Sequence, residues 1–379
     1  MKTAFFALLG AATIHMALGA APVAALETPA ERALLIDATT NTVLFEKDAD
    51  IPAPPASMSK LMTLYMLFER LADGGLKLTD TFPVSEKAWR MGGSKMFVRV
   101  DTRVSVEDLI RGIVVQSGND ACIVVAEALS GTERAFADEM TRRGRELGLT
   151  DSVFTNASGW PEPDHLMSAR DLARLTLRLV TDFPQYYGYF AEKSFTYNNI
   201  RQGNRNPLLY KRFGADGLKT GHTSSAGYGL VASALRKERR LVLVLGGLKS
   251  VNQRAREAER LLNWGYREFG NYRLFAAKET VSQAAVWLGT AAAVPLVVDE
   301  ELVVTMTRKA RRAMKVSVVY GGPVKAPIAA GDRVAELKIS APGRDDLKVP
   351  LLAGTDVGRR GLFGRLWAAA GYLVWGANP

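Results

Sequence analysis

The sequence predicts an α+β protein in two parts, on three observations. A mostly apolar, helix-like stretch covers residues 58–71, with further helix-like stretches at 106–115 and 121–129. Two apolar runs, 228–235 and 241–248, flank a charged turn at 236–240 and read as a β-hairpin. After about Tyr272 the pattern changes to short β-like runs at 303–306, 315–320 and 334–339, broken by Gly and Pro; these read as a small all-β domain.

The first helix carries Leu61, Met62, Leu64, Tyr65, Leu67, Phe68 and Leu71. That is too apolar for a surface helix, so a central position is expected. Pro54-Pro55 precede it, and proline fits at or before a helix start. Ser57 therefore falls near the helix N-terminus, where free N–H groups and the dipole favour a developing negative charge. Lys60 follows three positions later, on the same face. A lysine there needs a reason, because an unpaired buried ammonium is costly.

Two other strings fall into place around this pair. Ser117-Gly118-Asn119 sits between 106–115 and 121–129, as a short helix–helix turn. Alone it would read as a helix cap, and a second Ser-x-Asn, Ser250-Val251-Asn252, receives no role. Lys219-Thr220-Gly221 lies in 217–223, read as a strand beside the hairpin. Gly221 lets another backbone come close, whereas alone the lysine would read as the guard of an edge strand. Singly these strings are weak signals. In this order they supply what serine acyl transfer needs: a nucleophile and base on one helix face, a second hydroxyl with an amide, and a cation with a hydroxyl and backbone N–H groups.

Residues 1–25 read as a secretory leader: Lys2, an apolar stretch at 4–18, then small residues ending in Val23-Ala24-Ala25, with cleavage expected after Ala25. The apolar stretch is short for a membrane anchor. The chain is basic, at a formal net charge of +10 with one unit from Lys2, and an exported basic protein favours anionic surfaces. No nucleic-acid motif is present, and export argues against that partner. Cys122 is the only cysteine, so no intrachain disulfide forms; its apolar neighbours suggest a buried structural thiol with no basic partner nearby in sequence. Beyond the leader the histidines are His165 and His222, without a His-Glu-x-x-His string, so a zinc hydrolase is not expected. Counting alone leaves a Ser-His-Asp triad open, although no Gly-x-Ser-x-Gly elbow exists.

With these residues in view, the chain resembles the low-molecular-mass penicillin-binding proteins that are serine-type D-alanyl-D-alanine carboxypeptidases. Beyond the three strings, the likeness extends to Phe154-Thr155-Asn156-Ala157-Ser158-Gly159, His165, Ser168-Ala169-Arg170-Asp171-Leu172 and Gly217-Leu218. It continues through Arg254-Ala255-Arg256-Glu257-Ala258 to Leu261-Leu262-Asn263-Trp264-Gly265-Tyr266. The resemblance implies a serine transpeptidase/β-lactamase-like catalytic domain, an antiparallel sheet flanked by helices plus a helical lobe, with no cofactor and no metal. It implies that Ser57 attacks the carbonyl between the two terminal D-alanines of a peptidoglycan stem peptide, with Lys60 as base. Burial and a second cation at Lys219 are expected to depress the pKa of Lys60. Ser117 would relay a proton to the leaving amine, and Asn119 would hold the substrate amide. Lys219 and Thr220, with Arg254, would bind the terminal carboxylate; Gly221 completes that strand string. The backbone N–H groups of Ser57 and His222 would form the oxyanion hole.

Class A β-lactamases activate their deacylating water with a glutamate in a Glu-x-x-Leu-Asn string. The corresponding stretch here, Gly159-Trp160-Pro161-Glu162-Pro163-Asp164-His165-Leu166, lacks it. Slow deacylation, and therefore inhibition by β-lactams, is expected. At the C-terminus, Leu362, Phe363, Leu366, Trp367, Ala370, Leu373 and Val374 fall on one helical arc behind Arg359 and Arg360, with Tyr372 and Trp375 outside it. Too short to span a bilayer, the tail reads as an amphipathic helix on a membrane surface, the alternative being a helix packed on protein. The expected division is a leader at 1–25, the catalytic domain at 26–271, the small β-rich domain at 272–358 and the tail at 359–379. The expected location is the periplasmic side of the inner membrane. Rivals are a D,D-endopeptidase of the same superfamily and a weakly catalytic peptidoglycan-binding protein.

Overall fold

The computed structural model describes residues 26–364; the leader and most of the tail lie outside the described residues. A five-stranded antiparallel sheet organises the larger part, in the order Thr42–Lys47, Arg32–Asp37, Arg239–Leu248, Gly227–Arg236, Ala215–Thr223. The hairpin and the adjoining Lys-Thr-Gly strand are thus present, and that strand forms one edge. The strands Arg32–Asp37 and Thr42–Lys47 carry no motif, and they close the sheet against a partner some two hundred residues away.

Period-two alternation explains how the sheet holds two layers apart. In Arg239–Leu248, Leu241, Leu243 and Leu245 join a core with Ala258, Leu261 and Leu262 of the helix Val251–Glu268. Val242 and Val244 face the other way, into the core of the helical lobe. At the centre of that lobe lies the helix Lys60–Ala72, buried on nearly every face from Lys60 to Phe68, as its composition predicts. Around it, serine and threonine caps start the helices: Ser105, Thr132, Ser168 and Ser250 each accept the backbone N–H three residues on. The second Ser-x-Asn string is therefore a cap.

The helix Val251–Glu268 runs directly into the strand Phe269–Phe275, which pairs with Leu302–Thr307. Beyond it, a six-stranded sheet runs in the order Lys315–Val319, Arg333–Ser340, Leu347–Ala353, Ala293–Val297, Thr280–Trp287, Val324–Lys325. Leu296, Leu337, Ile339 and Leu351 form its core. The three runs expected there are strands, alongside others that the sequence pattern did not reveal.

One polar cluster ties the two parts together. Asp37, fully buried, accepts from Arg239 Nε at 2.6 Å, from the Thr39 N–H at 3.0 Å and from Asn271 Nδ2 at 3.2 Å. Thr305 donates to Asn271 Oδ1 at 2.9 Å and meets the Thr40 hydroxyl at 2.5 Å, while Arg239 Nη1 donates to the Phe269 carbonyl at 2.7 Å. Arg239 Nη2 is buried without a partner, so this guanidinium depends on the one carboxylate. Replacing Asp37 with Ala should cost about 3 kcal/mol or more, since it strands a buried charge. Thermal unfolding checks it: an unchanged melting temperature would contradict this account of the junction.

Candidate active site

Ser57 lies in a 3-10 turn, Ala56–Ser59, that leads into the helix Lys60–Ala72. Ala56, just before it, is held at a φ of 49°, in the left-handed region that costs a non-glycine residue about 1 kcal/mol. Two glycines pin this turn. A Cβ on Gly159 would lie 1.9 Å from the Ala56 carbonyl oxygen, and one on Gly221 would lie 2.9 Å from that of Pro55. The strand and the 154–159 stretch can approach the nucleophile only because neither residue has a side chain. Ser57 itself is half-buried and open to a ligand.

Lys60 is fully buried, and its amine has three partners: Ser57 Oγ at 2.8 Å, Asn119 Oδ1 at 2.7 Å and the Ser158 carbonyl at 2.6 Å. The two carbonyl oxygens can only accept. In the neutral amine they take both N–H bonds, which turns the lone pair toward the one partner able to donate, the Ser57 hydroxyl. Burial lowers the Lys60 pKa to about 8, assisted by the charge of Arg205 and opposed by Cys122 and Asp120. Arg205 is thus a further cation acting on Lys60, beyond the expected Lys219. Burial, Lys60 and Arg205 hold Lys219 well below the ordinary lysine value, and the repulsion between the two lysines is mutual.

The other predicted residues converge on this pair. Lys219 Nζ donates to Ser117 Oγ at 2.9 Å, and Ser117 is held at a φ of 58°. The Ser117 hydroxyl is committed to this contact and caps no helix; the N-cap position belongs to Gly118. Thr220 is buried on the same strand. Arg254 reaches in from the helix Val251–Glu268; its Nη1 lies 3.5 Å from the Gly229 carbonyl, its guanidinium lies over the Tyr228 ring, and its buried Nε has no partner. The His222 ring is exposed and stacks on Tyr228 at 3.9 Å between centroids.

Two contributors, Asp120 and Arg205, carried no sequence signal. Asp120 accepts the backbone N–H groups of Met96, Phe97 and Val98 at 2.9, 2.9 and 3.2 Å, holding a strap over the site; in sequence it looks like any acidic residue in a first helical turn. Asn119 Nδ2 ties the same strap through the Gly92 carbonyl at 2.9 Å. Arg205 belongs to no motif; its Nη1 donates to Ser94 Oγ of the strap at 2.6 Å. His165 accepts the Thr155 N–H on Nδ1, which leaves Nε2 to donate to Ser59 Oγ at 2.7 Å, and burial pushes its pKa down to about 4. Among the described residues, Lys60, Lys219, Arg205 and Arg254 have no ion-pair partner. Four basic side chains without an ion-pair partner converge here, a setting that favours an anionic ligand.

The chain is similar to known proteins in sequence and fold. The sequence profile of the family described as D-alanyl-D-alanine carboxypeptidase matches residues 19–249, and that of the penicillin-binding protein 5 C-terminal domain matches 269–359. The D-alanyl-D-alanine carboxypeptidase DacC of Escherichia coli (strain K12) is 37% identical over 342 residues, covering 88% of this chain and 86% of its own. The crystal structure of penicillin binding protein 5 from Haemophilus influenzae superposes with a TM-score of 0.80 at 34% identity, covering 89% of this chain and all of that one. The D-alanyl-D-alanine endopeptidase of Escherichia coli (strain K12) is 25% identical over 244 residues, 61% of this chain and 76% of its own. The chain belongs to the D-alanyl-D-alanine carboxypeptidase family, with the penicillin-binding protein 5 C-terminal domain behind its catalytic part.

Proposed function

We propose that this protein is a serine D,D-carboxypeptidase that removes the terminal D-alanine from peptidoglycan pentapeptide stems through an acyl-enzyme on Ser57. The observation that carries this is the amine of Lys60, whose other two partners can only accept and so aim its lone pair at the Ser57 hydroxyl. Lys60 takes the Ser57 proton as Oγ bonds to the carbonyl carbon of the penultimate D-alanine. The N–H groups of Ser57 and His222 stabilise the oxyanion. As the C–N bond breaks, the proton passes through the Ser117 hydroxyl to the leaving amine, and D-alanine departs. Lys219, Thr220 and Arg254 hold its carboxylate, and Asn119 holds the amide of the acyl half. Water then attacks the ester, freeing Ser57 and the tetrapeptide. Among the described residues no carboxylate hydrogen-bonds Ser57 or Lys60, which supports slow hydrolysis of a β-lactam adduct and inhibition by such compounds.

The D,D-endopeptidase rival is disfavoured because the endopeptidase match reaches only part of the chain, whereas DacC and penicillin binding protein 5 extend across both parts. Wild type should release D-alanine from a pentapeptide ending in D-Ala-D-Ala, and Ser57→Ala should release none and lose covalent labelling by fluorescent penicillin. Persistent labelling of the variant would overturn the nucleophile. Wild type that labels yet releases nothing would favour the endopeptidase or the weak binding protein.

The acting form of Lys60 is the free amine. With its pKa at about 8, the rate of Ser57 acylation should fall about tenfold per unit as the pH drops below 8, and level off above it. Stopped-flow acylation by penicillin between pH 6 and 9.5 measures this; a flat profile would remove Lys60 as base.

The leader and tail complete the reading as an exported protein held at the outer face of the inner membrane by its C-terminal segment, with the β-rich domain as spacer. Among the described residues no helix is long and apolar enough to cross a membrane, and Leu362 and Phe363 at the start of the tail are 71% and 88% exposed. Deleting residues 361–379 should move the protein to the soluble fraction with activity on small peptides retained. Continued pelleting with membranes would contradict the anchor.

A further inference from the structure

A cavity of about 250 Å³ opens beside the nucleophile, walled by Pro55, Ala56, Trp160, Pro161, Pro163 and Thr223. Two of its remaining lining residues are ionisable. His165 is neutral at pH 7, since burial pushes it down to about 4. That leaves Glu162 as the one charge on the cavity wall. Its carboxylate is exposed, accepts from Asn156 Nδ2 at 3.2 Å, and has no ion pair among the described residues. The cavity is therefore apolar and proline-rich, with an indole face and a single anionic edge. The Lys60, Lys219, Arg205 and Arg254 site is its opposite in charge.

The strand Ala215–Thr223 gives the cavity its direction. Lys219, toward one end, touches Ser117; Gly221 packs on Pro55 and Ala56 beside Ser57; Thr223, at the other end, lines the cavity. Lys219 and Thr223 are about 13 Å apart along an extended strand. A stem whose departing carboxylate lies at Lys219 and whose scissile carbonyl lies at Ser57 runs its acyl half toward Thr223, into the cavity. We infer that this cavity takes the side chain of the third stem residue, a diamino acid, with its methylenes on the Pro and Trp160 walls and its free ammonium opposite Glu162. The Trp160 face adds attraction for a cation. The inference rests on the D,D-carboxypeptidase reading, and gives the enzyme a preference for stems whose side-chain amine is free over stems in which it is an amide.

The probes are L-Ala-γ-D-Glu-L-Lys-D-Ala-D-Ala and its Nε-acetyl analogue. Each competes with fluorescent penicillin for Ser57, which reports occupancy whether or not turnover follows, while D-alanine release is followed in the same samples. For wild type the free amine should compete about fivefold better, the ratio expected of one exposed ion pair. Glu162→Gln should bring the two peptides level, and Glu162→Lys should reverse their order, with thermal unfolding unchanged in both variants. Equal competition in wild type, or a preference that survives Glu162→Gln, would overturn the inference. A preference with no D-alanine released would uphold the cavity's assignment and sink the carboxypeptidase reading instead.

Discussion

A buried amine is tolerated only where its hydrogen bonds are met, and for Lys60 three separate segments converge to meet them. The turn before the helix brings Ser57, the helix–helix turn brings Asn119, and the 154–159 stretch brings the Ser158 carbonyl. Much of the local architecture follows from this convergence. Gly159 must lack a side chain so that its stretch can close on Ala56, and Ala56 and Ser117 accept unfavourable φ angles to present their neighbours. Strain of this kind persists only where surrounding contacts over-determine it. Asp120 supplies such contacts, fixing the strap with three backbone N–H groups.

The same site shows which effect wins when burial and charge compete. Cys122 lies within electrostatic reach of Lys60 and Lys219, a setting that ordinarily activates a thiol. Burial outweighs both lysines and pushes the thiol up to about 12, so the cysteine stays an inert core residue. For the lysines burial and charge act together: each is desolvated, each has positive neighbours, and each is driven toward the neutral amine. That state suits Lys60 as a base. Lys219 is left without a carboxylate partner among the described residues, its amine donating to Ser117 Oγ.

What was legible in the sequence was chemistry whose partners are near in the chain. Ser57 and Lys60 share a helical turn, the central helix declares itself by lacking a polar face, and the hairpin by its charged turn. The strand carrying Lys219 was legible because it adjoins that hairpin. Long-range pairings were not. Arg32–Asp37 is an interior strand next to one edge, and its two partners, Thr42–Lys47 and Arg239–Leu248, are set by the fold. Arg205 and Asp120 act through backbone and hydroxyl partners that no local pattern encodes. Arg205, a further cation that depresses Lys60, was not legible because it belongs to no motif. In the small domain, strands such as Thr280–Trp287 are half-buried along most of their length, which blurs the alternation that would have revealed them.

The junction between the two parts follows from sheet order. Asp37 ends the strand Arg32–Asp37, near one edge of the five-stranded sheet, and Lys219 lies on the strand at the opposite edge. Across the sheet they are three strand spacings apart, about 14 Å, and Lys219 is also displaced along its strand from the position opposite Asp37. The polar cluster of Asp37, Arg239, Asn271 and Thr305 therefore fastens the β-rich domain to the side of the sheet away from the nucleophile, and among the described residues that domain adds no hydrogen bond to the Ser57 site. Two routes link the junction to the site: the helix Val251–Glu268, which carries Arg254 and runs into the junction strand Phe269–Phe275, and the ladder of strands Arg32–Asp37, Arg239–Leu248, Gly227–Arg236 and Ala215–Thr223. These are among the most completely buried strands of the chain and the least able to yield. The β-rich domain is thereby fastened to the catalytic part without entering the Ser57 site, and Arg254 is the site residue whose own helix leads into the junction.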